Sequence, residues 1–229
     1  MISDNLQAVF SKIRFAAERA GRDPSGIVLV GVTKFASLEA VNEAVAAGLS
    51  HIAENKVQLA EEKFPRLDLA GKGVMKHMIG HLQTNKAKDA VRVFDMIQSV
   101  DSPKLAEEIN KRAASLGKVM DILIQVDIAK EEQKFGLPEE ELDDLVAQVS
   151  SLTSVRMLGL MTMAPLTEDE AVIRSVFRRA LEIFERLKKE WPPSPRIEMK
   201  YLSMGMSHDY ELAIEEGANM VRIGTAIFK

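Results

Sequence analysis

The stretch Ile27-Val28-Leu29-Val30-Gly31-Val32-Thr33-Lys34 is an almost unbroken apolar, β-branched run closed by one cation. A run without the polar alternation of a half-exposed strand suits a strand covered on both faces, and such strands belong to parallel sheets. Asp121–Ile128, with Ile122-Leu123-Ile124 inside it, repeats the pattern. Six further short runs follow the same reading: His51–Asn55, Lys76–Gly80, Met96–Val100, Arg156–Met163, Tyr201–Met206 and Met220–Phe228. Between them lie amphipathic stretches around Leu38–Ala47, Lys56–Phe64, Asn85–Val91, Pro103–Leu116, Glu139–Val149, Asp169–Glu190 and Asp209–Glu216. Each carries apolar residues at helical spacing. Strand and helix in alternation imply a parallel sheet, and eight such units can close into a (β/α)8 TIM-like barrel. An open doubly wound sheet is the second architecture the pattern allows. The sequence stops after the eighth run, whereas Asn5–Ala20 supplies an extra amphipathic helix before the first; this N-terminal helix is expected to fill the vacant place in the outer ring.

Several boundaries have local causes. Ser37 can cap the helix beginning at Leu38, Ser102-Pro103 can start another, and Gly48 and Gly117 stand where left-handed helix caps are common. Trp191-Pro192-Pro193-Ser194-Pro195 reads as a rigid loop.

Length and composition fit one domain over residues 1–229: 46% of the chain is hydrophobic and 28% charged, enough for a core and for solubility. Acids and bases are interleaved to a net charge of −4, with no basic block to follow a phosphate backbone, so nucleic-acid binding is not expected. Cysteine is absent, which removes disulfides, thiolate nucleophiles and zinc ribbons together. Neither a leader-like start nor an apolar run of spanning length is seen, so a cytoplasmic protein off the membrane, and a monomer, is the expectation.

In a parallel barrel the chemistry sits at the C-terminal ends of the strands. The first strand delivers Lys34, whose amine would emerge beside apolar walls that disfavour its charged form and favour an adduct with a carbonyl. The bland alternative is a strand-end lysine paired with Glu54. Met206-Ser207 ends the seventh strand, and Ser207-His208-Asp209-Tyr210 has the look of an N-cap with free N–H groups for an anion. Gly224-Thr225 adds donors after the eighth strand, and barrels frequently bind phosphate between the seventh and eighth loops. Ordinary turn chemistry would use the same residues. Arg222, two residues before that glycine, needs an acceptor: Asp209 or Glu54 in a structural ion pair, or a pyridine nitrogen that it would keep unprotonated. His77 and His81 flank a strand and a glycine rather than one helical turn, so no metal is expected. The methionines of Met157–Met163 and Met204–Met206 are read as core.

An ordered set of motifs spans the chain: Val30-Gly31-Val32-Thr33-Lys34; Ala53-Glu54-Asn55-Lys56-Val57-Gln58; His77-Met78-Ile79-Gly80-His81-Leu82-Gln83-Thr84-Asn85-Lys86; Gly159-Leu160-Met161-Thr162-Met163-Ala164-Pro165; Leu202-Ser203-Met204-Gly205-Met206-Ser207; and Val221-Arg222-Ile223-Gly224-Thr225-Ala226-Ile227-Phe228. In these the sequence resembles the YggS/PROSC family of pyridoxal phosphate homeostasis proteins. The resemblance implies a barrel like the N-terminal domain of alanine racemase and a pyridoxal 5′-phosphate (PLP) cofactor held as a Schiff base on Lys34. It further implies Asn55 beside the cofactor, Arg222 facing the pyridine nitrogen, and Met206, Ser207, Gly224 and Thr225 at the remaining contacts, the last three on the phosphate. Family members carry or buffer the cofactor without established catalysis, and PLP-dependent apo-enzymes are the recipients this implies. A small PLP-dependent amino-acid racemase is the alternative, although racemases on this barrel add a β domain that lends a catalytic tyrosine, and here only Tyr201 and Tyr210 exist. The family pattern has glycine where this chain has Ala53 and Lys229; Lys134 could offer a second amine, with a surface lysine as the plainer reading.

Overall fold

A computed structural model describes residues 1–129 and 135–229; Lys134 lies outside the described residues. Eight strands form the frame: β1 (Val28–Val32), β2 (His51–Glu54), β3 (Met75–Met78), β4 (Met96–Val100), β5 (Met120–Asp127), β6 (Val155–Met161), β7 (Ile197–Ser203) and β8 (Met220–Ile223). Each pairs in parallel with its sequence neighbour, and β8 returns to β1 with Val28 opposite Met220 and Gly31 opposite Ile223, so the sheet closes. A closed barrel, rather than an open doubly wound sheet, is the result. A two-residue strand, Leu137–Pro138, lies against the end of β5.

The helices are α1 (Ile2–Arg19), α2 (Leu38–Ala46), α3 (Val57–Lys63), α4 (Ala87–Val93), α5 (Pro103–Ser115), α6 (Leu142–Ser151), α7 (Glu170–Glu190), α8 (Tyr210–Glu215) and α9 (Thr225–Phe228). Ser37 and Ser102 accept from the N–H groups of Ala40 and Leu105, as their positions imply, and Gly48 and Gly117 have φ of 105° and 64°. No helix among the described residues is long and apolar enough to cross a membrane.

The final strand is shorter than expected. Pairing with β1 ends at Ile223, and past it Ile227 and Phe228 donate their N–H groups to the Gly224 carbonyl, so Thr225–Phe228 coil into α9 rather than extending the strand. The N-terminal helix does take the open place: α1 packs against α2, α8 and α9. It buries Leu6, Val9, Ile13, Ala16 and Ala17, a single stripe at helical spacing. Arg19 of α1 pairs with Glu215 at 2.7 Å, and Arg174 of α7 reaches Glu215 and Glu216 at 2.7 and 2.8 Å, tying three helices together.

Two cores result. One lies between sheet and helices; the other, inside the barrel, packs Val30, Ala53, Met96, Leu123, Leu158, Met161 and Met220. Gly159 marks a bulge in β6, with φ 136°, where a Cβ would stand 1.9 Å from the Tyr201 carbonyl oxygen.

Candidate functional site

A cavity of about 340 Å³ opens at the C-terminal ends of the strands. All seven residues singled out above line it: Lys34, Asn55, Met206, Ser207, Arg222, Gly224 and Thr225. A larger groove of about 610 Å³ lies on the outer flank between α3 and α4; its polar groups, Glu61, Arg92 and Lys76, are those of an ordinary surface, and the convergent donors are in the smaller cavity.

Lys34 stands in the turn after β1, two residues past the strand end. Its side chain is exposed, with Nζ 5.2 Å from the centroid of the Phe35 ring. The amine therefore meets solvent at the cavity mouth rather than being enclosed by apolar walls, because Lys34 lies in the turn closed by the Ala36 N–H on the Thr33 carbonyl, past the end of β1. The expected alternative partner is also taken. Glu54, fully buried, accepts at Oε1 from the Thr33 hydroxyl and from Lys63 Nζ, both at 2.7 Å. Lys63 Nζ also donates to the Thr33 carbonyl at 2.6 Å. The peptide bond that leads into Lys34 is thus clamped by α3 and β2, while the lysine itself has no carboxylate partner among the described residues.

Asn55 follows β2 and lies against Gly80 beyond β3. A Cβ at Gly80 would meet the Asn55 carbonyl oxygen at 2.1 Å, so the absence of a side chain there lets the two strand ends converge.

The segment after β7 differs from expectation. Ser207 does not cap α8; Ser207, His208 and Asp209 form a turn, the helix begins at Tyr210, and Asp209 Oδ1 accepts from the Met206 N–H. The two-residue offset frees the Ser207 hydroxyl to accept from the Gly224 N–H at 3.3 Å, joining the loops after β7 and β8. Hydroxyls and N–H groups from both loops therefore converge on one wall. Met206 and Met163 are half-buried and line the cavity, whereas Met157, Met161 and Met204 are core, so the core reading of the methionines holds for only some of them.

Arg222 forms the inner wall and is 3% exposed. Nη1 donates to Ser203 Oγ at 2.7 Å and Nη2 to the Thr162 carbonyl at 2.9 Å, so neither Asp209 nor Glu54 is its hydrogen-bonded partner. Burial pulls the guanidinium down to about 10, opposed by the charge of Asp209, and it stays cationic at neutral pH. His77 is buried inside the barrel and bonded to His51 and Gln98, and among the described residues no three metal-ligating side chains gather. His81 stacks on Phe135 at 3.8 Å and contacts Asp101 at 3.1 Å.

Sequence reasoning missed other lining residues: Val32, Phe35, Ala36, Ile79, Met163, His208, Phe228 and Lys229. Val32 and Ile79 share the inward parity of Val30 and His77, a legible signal; Phe228 and Lys229 were set apart by the misread final strand.

Residues 5–229 match the model of the alanine racemase N-terminal domain family. The pyridoxal phosphate homeostasis protein of Aquifex aeolicus is 40% identical over 98% of this chain and 96% of its own, and that of Escherichia coli K12 is 38% identical over 99% and 95%. PipY of Synechococcus elongatus, solved without and with PLP bound, is 34% identical over the whole of both chains and superposes with TM-scores of 0.89 and 0.86. By sequence, by fold and by coverage, the chain belongs to the YggS/PROSC family of pyridoxal phosphate homeostasis proteins.

Proposed function

We propose that the cavity holds PLP covalently on Lys34 and that the protein carries or buffers this cofactor in the cell. One observation carries the reading: an amine without a carboxylate partner among the described residues, anion donors from two loops and a buried guanidinium all face one cavity large enough for a substituted pyridine ring and its phosphate. The donor chemistry fits the group. Ser207, Gly224 and Thr225 are uncharged donors of the kind that surround a phosphate, and Arg222 brings the only buried cation among the described lining residues. Bound there, the cofactor would supply an aldehyde, and Lys34 would hold it through its amine by condensation with loss of one water. An arginine at a pyridine nitrogen keeps that nitrogen unprotonated and the ring a weak electron sink, which suits storage better than carbanion chemistry. The relatives named as PLP homeostasis proteins, and PipY with PLP bound, support the same reading.

Neither tyrosine lines the cavity: Tyr201 packs in the barrel interior and Tyr210 is buried under the loop after β7. This speaks against a racemase that relies on a tyrosine of its own chain. PLP-dependent apo-enzymes are the recipients we infer. The test is borohydride reduction of the PLP-reconstituted protein followed by peptide mapping. Label on Lys34, its loss with the visible band in Lys34→Ala, and no turnover of free amino acids are expected; label elsewhere overturns the lysine assignment, and turnover overturns the carrier role.

A further inference from the structure

Arg222 is the first member of a hydrogen-bonded chain that crosses the barrel interior. Ser203 Oγ accepts from Arg222 Nη1 and donates to Gln98 Oε1, both at 2.7 Å. Gln98 Nε2 lies 3.0 Å from His77 Nδ1, and His77 Nε2 lies 2.9 Å from His51 Nδ1. The links join β8, β7, β4, β3 and β2, so they cross the lumen rather than follow one strand. Ser203, Gln98 and His77 are fully buried, and His51 is half-buried at the start of β2, the end remote from the cavity.

The bonds fix one another's direction. Gln98 Nε2 has two hydrogens and two acceptors, His77 Nδ1 and Met220 Sδ at 3.3 Å; turning the amide over would set its oxygen against the sulfur and its nitrogen against Ser203 Oγ, which already accepts from Arg222. With Gln98 donating, His77 Nδ1 must accept, so the His77 hydrogen sits on Nε2 and points at His51. If His77 instead carried its hydrogen on Nδ1, Gln98 would have to turn. Ser203 would then receive two donors while its own proton lost its partner. Burial, reinforced by His51, pushes His77 down to about 3, in keeping with a ring that stays neutral.

We propose that Gln98 and His77 are positioning residues for the cofactor: by keeping the Ser203 hydroxyl turned toward Gln98, they make it an acceptor that holds the Arg222 guanidinium at the cavity wall. Two of the five N–H groups of Arg222 are drawn back to Ser203 and Thr162, and the rest remain for a ring nitrogen. The link to the cofactor rests on the PLP reading above; the direction of the chain does not.

Two measurements separate these. In the cofactor-free protein, long-range proton–nitrogen NMR correlations of the imidazoles should show His77 neutral with its hydrogen on Nε2 between pH 6 and 8. An Nδ1–H tautomer overturns the proposal whatever the cavity binds. In the PLP-loaded protein, Gln98→Met keeps the length of the side chain and removes both ends of its bonding. The visible band should move and PLP should dissociate about tenfold faster, the size expected for weakening one hydrogen bond to a charged group. Ser203→Ala should act in the same direction. Leu145→Ala, in the outer core and outside the chain, should cost stability while leaving band and dissociation rate in place. A Gln98→Met protein that unfolds earlier but keeps its spectrum and rate reduces Gln98 to packing and overturns the proposal.

Discussion

Replacing Lys63 with methionine is expected to destabilise the protein by about 3 kcal/mol, the lower end for breaking a buried pair from one side. The Lys63 side chain is 15% exposed and that of Glu54 fully buried, so Lys63 gives up most of its hydration in the folded state and Glu54 nearly all of its own. Lys63 makes two short bonds, to Glu54 Oε1 and to the Thr33 carbonyl, and Glu54 Oε2 has no hydrogen-bond partner among the described residues. Without the lysine, the carboxylate retains only the Thr33 hydroxyl. A charge-assisted bond contributes about 1.5–3 kcal/mol, so two of them, offset by the easy hydration of a lysine, give the same figure. Guanidinium titration of wild type, Lys63→Met, Glu54→Gln and the double variant measures it as a cycle. The double variant, which leaves no unpaired charge, should recover at least half of the loss. A single-variant loss under about 1 kcal/mol, or strict additivity, refutes the clamp.

Gly80→Ala should cost about 3 kcal/mol and weaken PLP binding together, because the added methyl meets a backbone oxygen that cannot swing aside; thermal unfolding and a cofactor titration read both effects. His77 ionises in the unfolded chain near 6.5 but in the folded protein only near 3, so the unfolded state takes up the proton first as pH falls. Stability from this group is complete above about 6.5 and drops below it by up to 1.4 kcal/mol per pH unit; denaturation from pH 7 to 4 should show a shallower slope in His77→Gln, and equal slopes would refute it. Glu216 is held below the usual carboxylate range by its bonds to Arg178 and then Arg174. Its contribution is present at neutral pH and lost as pH falls through that depressed value, so Glu216→Gln should be less stable than wild type at pH 7, with the difference shrinking as the pH falls below the ordinary carboxylate range.

The barrel was legible because both-face burial leaves its mark in single strands. Val28–Val32 and Ile122-Leu123-Ile124 announce a parallel sheet without any partner being known. The last strand was over-extended because Ile227 and Phe228 are apolar in strand and helix alike; only the end of β1, about 190 residues earlier, limits the pairing. The cavity residues were found by asking what each strand delivers at its end, which needs no register. The Arg222 chain needs register, since His51, His77, Gln98 and Ser203 meet only when four strands are aligned. Lys63, near the end of a short helix, has the sequence appearance of a solvated surface residue, and its turn toward Thr33 depends on how α3 lies across β1 and β2.

Closure between β1 and β8 also sets the order of events during synthesis. Lys34 leaves the ribosome before β8, and Val28–Val32 keeps one unpaired edge until Met220–Ile223 has emerged. Lys34 and the loops after β7 and β8 that share its cavity are thus separated by the synthesis of about 170 residues, and until those loops exist the cavity does not. Binding competence arrives in a single late step, together with the sealing of the edge on which the chain is most open to aggregation.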